Sequence, residues 1–576
     1  MGNALCATDD DAAVCCWQTT VHECYFPLWA VKVADFLNMT GPPEPHNVLM
    51  ERGLLHEWFP GMFVVFVSHQ WLSSSHPDPD GCQVKVLQQV LRGMIDDSLQ
   101  VQEDIVSMSV EKRLLPNTRE HIADGYLFFD WFAIPQITAR SHGINEETTK
   151  SDAAKAVQSI PAYVELSNLF LALVPELTHK NSLKLVNYCT WLSRGWCRAE
   201  LWCRLLSTTA DPNVIVVYSA REAEFIFPLD WQQNSIVEGD FTVESDRAAV
   251  AKLGEIAVES KIRHLRAFGP LVHYRFYMAQ RPRLMGQKRS AKSVETFLKE
   301  FHFNSLEDAV SDKSSMNAVM CAVLSGDEGM LRLLAANNAD MNHSLMGLGD
   351  LGFYDTQTAL MAAAKSNQDP SLLSTMLELR AEVNAEARTG ISALFVARSP
   401  GVVQVLLEAK ADMRRHFSLN GIASFASPET IQAILDARCD PEDIGDAKYG
   451  PLHALTLYSR GNRHALESAK LLLSARADVN ARSSPSGRFL WECRFCAAKL
   501  AVLGFEASSM LTRVRASMPG ITPLGYAALV GHKELTKLYL AHGAEILPNV
   551  RGDLPEDLAR ANHHCHLMPL LSTFAT

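Results

Sequence analysis

The stretch LSRGWCRAELWCRLL, Leu192 to Leu206, places Glu200 one helical turn after Trp196. Residues at i and i+4 share a helix face, so a flat ring and a carboxylate are presented together. A carboxylate turned into an apolar interior without a partner costs several kcal/mol. Glu200 therefore either reaches water and a cation or has a chemical task. Arg204, a further four residues on, supplies the first outcome as a surface pair contributing about 0.3–0.5 kcal/mol. Two more polar clusters stand beside apolar runs: Ser68, His69, Gln70 and Trp71 after FVVFV, and Asp130 with Trp131 after YLFF. His69 and Asp130 have the residue types of a base and its orienter. No Ser or Cys nucleophile joins them, which leaves a histidine at the edge of the core as the other reading.

The elements that must position these groups are legible as short apolar runs: MFVVFVS at Met62, GYLFFDWF at Gly125, NLFLALV at Asn168 and NVIVVYS at Asn213. Their near-continuous hydrophobicity predicts strands buried on both faces, as in a parallel sheet. Helical patterns separate them; in CQVKVLQQVLRGMIDDSL the residues Leu87, Val90, Leu91, Met94 and Ile95 form one apolar stripe. Strand alternating with helix predicts a doubly wound α/β domain. In such a sheet ligands bind beyond the carboxyl ends of the strands. Those ends carry Ser68, His69 and Trp71, then Asp130, then Pro175 and Glu176, so polar and aromatic groups gather on one rim. A flat ring among several hydrogen-bonding groups suits a nucleotide or a sugar.

The second half of the chain repeats itself. TALMAAAKSNQDPSLLSTMLELRAEVNA at Thr358, SALFVARSPGVVQVLLEAKADM at Ser392, GPLHALTLYSRGNRHALESAKLLLSARADVNA at Gly450 and GITPLGYAALVGHKELTKLYLAHGAEI at Gly520 share one form, as does the segment from Asn317. Each predicts a turn, a short helix rich in Ala and Leu, then a second helix ending in Ala and an acidic residue. These segments resemble the ankyrin repeat, whose period is about 33 residues. The markers Asp340, Glu382, Asp412, Asp440, Asp478 and Glu545 are separated by 42, 30, 28, 38 and 67 residues. The last gap holds an insertion at about 482–518, the unit around Asp440 is degenerate, and GDLPEDLARA from Gly552 reads as a closing half-unit. The resemblance implies a protein partner, whose identity lies in variable surface positions.

At the strand ends a second resemblance enters. FVVFVSHQW, YLFFDWFAIPQ, LFLALVP and SRGWCRAEL follow the landmarks of Toll/interleukin-receptor (TIR)-like domains over about 61–219, and FFDWFAIPQ also resembles a segment of fungal heterokaryon-incompatibility (HET) domains. In the TIR family a W-C-x-x-E-L helix carries the Glu of NAD-cleaving members. Matched to WCRAEL, the resemblance implies Glu200 as catalytic carboxylate and Trp196 as the ring packed behind it. Cleaving a nicotinamide–ribose bond builds an oxocarbenium-like sugar, whose charge a carboxylate stabilises. Ser68, His69, Trp71, Asp130 and Trp196 are then the expected substrate-binding set, and NAD the substrate. The resemblance also implies self-association.

Bulk properties bound the rest. A net charge of −12 argues against nucleic acid, which needs a dominant positive field. Thirteen Cys without regular spacing do not form a secreted disulfide framework, and no apolar run reaches the roughly 18 residues of a membrane span. A cytoplasmic protein is expected. MGNALC resembles an N-myristoylation site at Gly2, with Cys6 in place of the usual Ser or Thr and able to carry a palmitoyl chain. Two lipids would hold the chain at a membrane face where one would not; the other reading is an ordinary Met-Gly start. Lys261 to Lys292 is basic and interleaved with Phe268, Tyr274, Phe276 and Tyr277, which fits either a grip on RNA, phosphate or membrane or a last helix running into a solvated linker. GLGDLG at Gly347 follows no strand and reads as a loop. One C-x-x-C, Cys493 and Cys496, lacks a second pair at zinc spacing, so no metal or resident cofactor is expected.

The expected architecture is an N-terminal segment over 1–55, a TIR/HET-like doubly wound parallel α/β domain over 56–260, a basic linker over 261–304, and an all-α ankyrin solenoid over 305–576. Two functions fit it: a signalling or interaction protein, or an NAD glycohydrolase regulated by its repeats.

Overall fold

A computed structural model of the chain describes residues 23–102, 114, 117–136, 146–208, 213–226, 235–287, 291–388, 390–413, 418–442, 444, 448–505 and 508–572. Gly2 and Cys6 lie outside them. The described chain forms two compact units that divide at Gly269 and Pro270.

The first unit is built on an eight-stranded sheet. Its strands are β1 (Trp29–Lys32), β2 (Leu55–Glu57), β3 (Val64–His69), β4 (Val101–Gln102), β5 (Tyr126–Phe129), β6 (Leu169–Leu173), β9 (Ile215–Ser219) and β10 (Glu222–Phe225), in the order β2-β1-β5-β3-β6-β9-β10-β4. The intervening β7 (Leu177–Thr178) and β8 (Leu185–Val186) form a separate ribbon. The four strands expected from the apolar runs are the centre, β5-β3-β6-β9, and all are parallel. The sheet is nonetheless mixed: β1 runs antiparallel to both β2 and β5, and β10 antiparallel to β9. Residues 29–57 thus contribute the edge strand β2 and its neighbour β1 to a sheet expected to begin after them. Their shortness leaves no periodic signal.

Helices cover both faces. Val84, Leu87, Val90, Leu91 and Met94 of helix Cys82–Asp96 pack with Val65, Val67, Leu169, Leu171 and Ile215 on one face. On the other, Phe66 pairs in register with Phe128 and Phe170, and the rings stack at 4.6 and 5.1 Å across three strands. Tyr163 of helix Ile160–Glu165 closes that row, 5.4 Å from Phe128.

The second unit is a stack of helix pairs resembling ankyrin solenoids. The pairs are Ala318–Ser325 with Glu328–Ala336, Ala359–Lys365 with Pro370–Glu378, Ser418–Phe425 with Pro428–Asp436, Pro451–Leu457 with Ala465–Ser474, and Pro523–Val530 with Lys533–Ala541. In the unit starting at Ser392 the first helix is reduced to turns before Pro400–Glu408. Helix entry is local chemistry: Asn317, Thr358 and Thr522 each accept a bond from the backbone N–H three residues on.

The acidic markers have a backbone cause. Two residues before each one stands a left-handed residue: Asn338, Arg380, Lys410, Arg438, Arg476 and Gly543. The next N–H returns to the carbonyl five residues back in all six, as in Ala477 to Leu472 and Ala544 to Tyr539, which closes the outer helix in a Schellman turn. Two residues after a marker, asparagine joins neighbouring units. Asn342 accepts from the N–H of Glu382 and donates to the carbonyl of Arg380. Asn384 does the same to Asp412 and Lys410. Asn480 does it to Glu545 and Gly543, across the insertion. The insertion, which forms helices Gly487–Leu503 and Met510–Ser517, therefore leaves the register of the stack intact.

The stretch expected as a basic linker is mostly helical. Asp246–Phe268 ends the first unit, and Leu271–Leu284 opens the second. Tyr274, Phe276 and Tyr277 are buried, so they offer no stacking surface to RNA or lipid. Arg275 is buried too, paired with Asp312 at 2.7 Å and bonded to the carbonyl oxygens of Phe301 and Met316.

An L side chain at a left-handed C′ position is strained, and a bridging amide makes two bonds. Arg476→Gly should stabilise the repeat unit by about 0.5–1 kcal/mol. Asn480→Ala should destabilise it by about 1–2 kcal/mol. Urea midpoints of the full chain check both; no loss in Asn480→Ala would mean that the joint across the insertion is not held by this bridge.

Candidate functional site

The chain order of the parallel strands reverses at β3, with β5 on one side and β6 on the other. That is the topological switch point where open sheets leave a crevice. Ser68 and His69 end β3 there, and Asp130 follows β5 directly. Side chains alternate along a strand, so Ser68 and His69 face opposite sides of the sheet and build two networks.

On one side, the Ser68 hydroxyl donates to Glu200 Oε2 at 2.5 Å and accepts from Trp191 Nε1 at 3.0 Å. Glu200 lies in helix Gly195–Leu205, seated by a close approach: a Cβ on Gly195 would stand 2.0 Å from the Phe241 ring. Gly195 N–H donates to the Asp240 carbonyl, and Asp240 N–H to that of Ser193. Upstream, Asn187 and Thr190 cap helix Tyr188–Ser193 reciprocally, which sets Trp191 beneath Ser68.

On the other side, His69 is bonded at both nitrogens: Nε2 to Asp130 Oδ1 at 2.9 Å and Nδ1 to Gln83 Oε1 at 2.9 Å. Its ring stacks on Phe129 at 4.1 Å. Asp130 also accepts from Trp71 Nε1 at 2.9 Å and from the Trp131 N–H. Asp78, fully buried, receives the N–H groups of Cys82 and Val84 and so sets Gln83 at the start of its helix. With both nitrogens engaged, His69 is a positioned histidine of the core edge and no free base.

The electrostatics separate the two carboxyl groups. Burial, and then the Asp130 charge, push Glu200 up to about 8, with the Ser68 hydroxyl and His69 acting the other way. Burial works against ionising Asp130 as well, but His69, Trp71 and the Trp131 N–H more than offset it and hold Asp130 below its ordinary value. Burial would likewise lower His69, but Asp130 outweighs it and the net shift is upward. A neutral acid and an ionised carboxylate thus stand at one sheet edge, and both keep some solvent contact. Carboxyls whose environments push them apart are equipped as proton donor and charge stabiliser.

At the same strand ends the structure joins Ser68 with Glu200 on one side of the sheet, and His69, Trp71 and Asp130 on the other. Trp196 Nε1 donates to Asp246 Oδ2 at 3.0 Å and bonds to neither network. Nor does Glu200 pair with Arg204. That guanidinium is buried and bonds the carbonyl oxygens of Ser167, Asn168 and Asn213, while Glu200 bonds Ser68. Trp191 and Gln83 were missed. Trp191 sits five residues before Trp196, immediately ahead of the stretch that begins at Leu192, and the rule that Ser68 needs a donor could have found it. Of the motifs set aside, Cys493 and Cys496 are buried on the insertion helix, and His564 and His566 bond the carbonyls of Leu529 and Gly531. Among the described residues no group of three or more His, Cys, Asp or Glu could hold a metal ion. GLGDLG is a loop with a single 3-10 turn.

A carboxyl raised in the folded state contributes stability that is fully present below its unfolded value near 4.5 and lost as pH rises through about 8. Glu200→Gln keeps an acceptor for Ser68 but removes the titration. Thermal unfolding should match wild type at pH 4.5, and the variant should be more stable by about 1–2 kcal/mol at pH 9, after allowing for solvent contact. Equal pH dependence of the two proteins would show that Glu200 ionises normally.

No protein-family model matches the sequence, and no curated protein matches it. Among solved structures, the ankyrin repeat domain of Bcl-3, described as a unique member of the IkappaB protein family, is similar over 43% of this chain and 97% of its own, at 20% identity and a TM-score of 0.27. The human ASB11 ankyrin repeat domain is similar over 43% of this chain and 96% of its own, at 20% identity and a TM-score of 0.30.

Proposed function

We propose that this chain is a cytoplasmic signalling or interaction protein whose ankyrin-type unit holds a protein partner through its insertion. The observation that carries this is an apolar stripe on helix Gly487–Leu503. Trp491, Phe495 and Val502 are 69%, 71% and 84% exposed and stand at i, i+4 and i+11. Patches of this kind on a surface helix mark interaction sites. Beside them a groove of about 480 Å³ lies between the insertion and the stack, with Arg482, Arg494 and Arg551 in its wall and no acidic residue among the described ones that line it; Arg551 pairs with Asp553 at 3.5 Å. In a chain of net charge −12 that basic lining selects its occupant: an acidic amphipathic helix of the partner. A second copy would set basic face against basic face.

In this reading the α/β unit, similar to TIR-like and HET-like domains in its short motifs, binds a nucleotide or self-associates at the Ser68–Glu200 rim. Acylation at Gly2 and Cys6 would hold the chain at the cytoplasmic face of a membrane. A second reading, an NAD glycohydrolase, is favoured by the position of Glu200 at the switch point. The developing ribosyl cation needs an ionised carboxylate, and Glu200 gains that form only toward pH 8.

A labelled helical peptide with one Leu face and Glu elsewhere should bind the full chain, weaken at least about tenfold on Arg494→Glu, and lose affinity with salt. Equal binding of a Lys-for-Glu peptide, or preference for anionic vesicles over the peptide, would contradict the acidic-helix partner. For the second reading, nicotinamide release from NAD should rise between pH 7 and 9 and vanish in Glu200→Gln. Absence of release from wild type at high protein concentration removes that reading and leaves the first standing.

A further inference from the structure

The His69 ring is held between two groups whose other bonds fix what each can offer it. Gln83 Nε2 lies 2.8 Å from the Gln70 carbonyl oxygen. A carbonyl only accepts, so the end of the Gln83 amide that meets it is the NH2 group. The other end, Oε1, is therefore the atom 2.9 Å from His69 Nδ1. An amide oxygen also only accepts, so Nδ1 carries a hydrogen. Turning the amide over does not relieve this, because it would set oxygen against the Gln70 carbonyl. Gln83 is buried and cannot turn to water instead. Its helix start is pinned where Asp78 takes the N–H groups of Cys82 and Val84.

Asp130 settles the second nitrogen. Its Oδ1 accepts from the Trp131 N–H at 2.6 Å, and its Oδ2 from Trp71 Nε1 at 2.9 Å. Donated N–H groups favour the charged carboxylate. A proton lies along the 2.9 Å contact between Oδ1 and His69 Nε2. It rests on the imidazole, the stronger base at about 6.5 against about 4 for an aspartic carboxyl. Both ring nitrogens are then N–H donors. A neutral imidazole has only one, so it would leave either Gln83 or Asp130 facing a lone pair.

The charged groups around the ring act the same way. Burial opposes its charge, Asp130 outweighs burial, and Glu200 and Gln83 add to Asp130. Cys197, whose thiol donates to the His69 carbonyl at 3.6 Å, is kept neutral because burial raises it well above its ordinary value. The Phe129 ring stacked on His69 at 4.1 Å carries no charge.

We propose that His69 is an imidazolium at neutral pH and that Gln83 is the positioning residue that keeps it so. Acting through His69, Gln83 makes Asp130 a fixed carboxylate at the rim. Its three N–H donors leave one acceptor position on Oδ2, so Asp130 accepts hydrogen bonds there and does not supply a proton. This charge state stands whether or not the rim binds a nucleotide.

Nitrogen-15 NMR of the full chain, labelled only at histidine ring nitrogens, tests it, with His69→Gln or His69→Asn identifying the resonances. At pH 7 both nitrogens of His69 should read as N–H, and the second proton should leave at higher pH than in the exposed histidines. In Gln83→Leu that loss should move to lower pH. Gln83→Glu keeps an oxygen for Nδ1 and should restore it. One protonated and one bare nitrogen at pH 7 overturns the proposal, a result that needs no Gln83 variant. A folded Gln83→Leu chain whose His69 titrates as in wild type overturns the role of Gln83.

Discussion

Ser68 is the hinge of the α/β unit's chemistry, because one hydroxyl ties the central strand to the helix that carries Glu200. It donates to the carboxyl and accepts from Trp191. Among the described residues no arginine pairs with that carboxyl: Arg204, one turn on along the helix, serves three backbone carbonyls instead. Burial, with the Asp130 charge, outweighs the Ser68 hydroxyl and His69 and keeps Glu200 protonated at neutral pH, while the His69 pair keeps Asp130 ionised. The two carboxyl groups are chemically distinct because strand alternation puts Ser68 and His69 on opposite faces. Only the strand ends, where the sheet edge opens, let both faces meet solvent.

The repeat unit rests on a different constraint. Each outer helix must turn back within a few residues, and the left-handed C′ residue makes that turn. Five of these six positions carry an L side chain in place of glycine, so the stack accepts strain at each joint. Asparagine bridges compensate by joining the turn of one unit to the next. Because Asn480 makes the same bridge across the insertion, the inserted helices are free to carry surface features that the stack does not need for its own stability. The exposed aromatic stripe and the arginine-lined groove stand there.

The four central strands were legible because burial on both faces writes an unbroken apolar run. The strand-end rule then placed Ser68, His69 and Asp130 together without any contact being visible. What could not be read were partners distant in sequence. Trp196 turns to Asp246, fifty residues on, and Arg204 to carbonyls near 167 and 213; helix periodicity alone gave neither. The strands β1 and β2, within 29–57, are four and three residues long, too short for a period. In the repeats the acidic markers were visible as a rhythm, but their cause, a left-handed residue two places earlier, is a backbone property with no residue signature when Arg or Lys occupies it.

The protonation of Glu200 is the claim on which the site's chemistry turns, and infrared difference spectroscopy of the full chain reads it directly. The account predicts a protonated-carboxyl band that is present at pH 7, disappears as pH rises through about 8, and is absent from Glu200→Gln. A spectrum with no such band at pH 7, or a band unchanged by the substitution, would contradict it and make Glu200 an ordinary ionised side chain at the sheet edge.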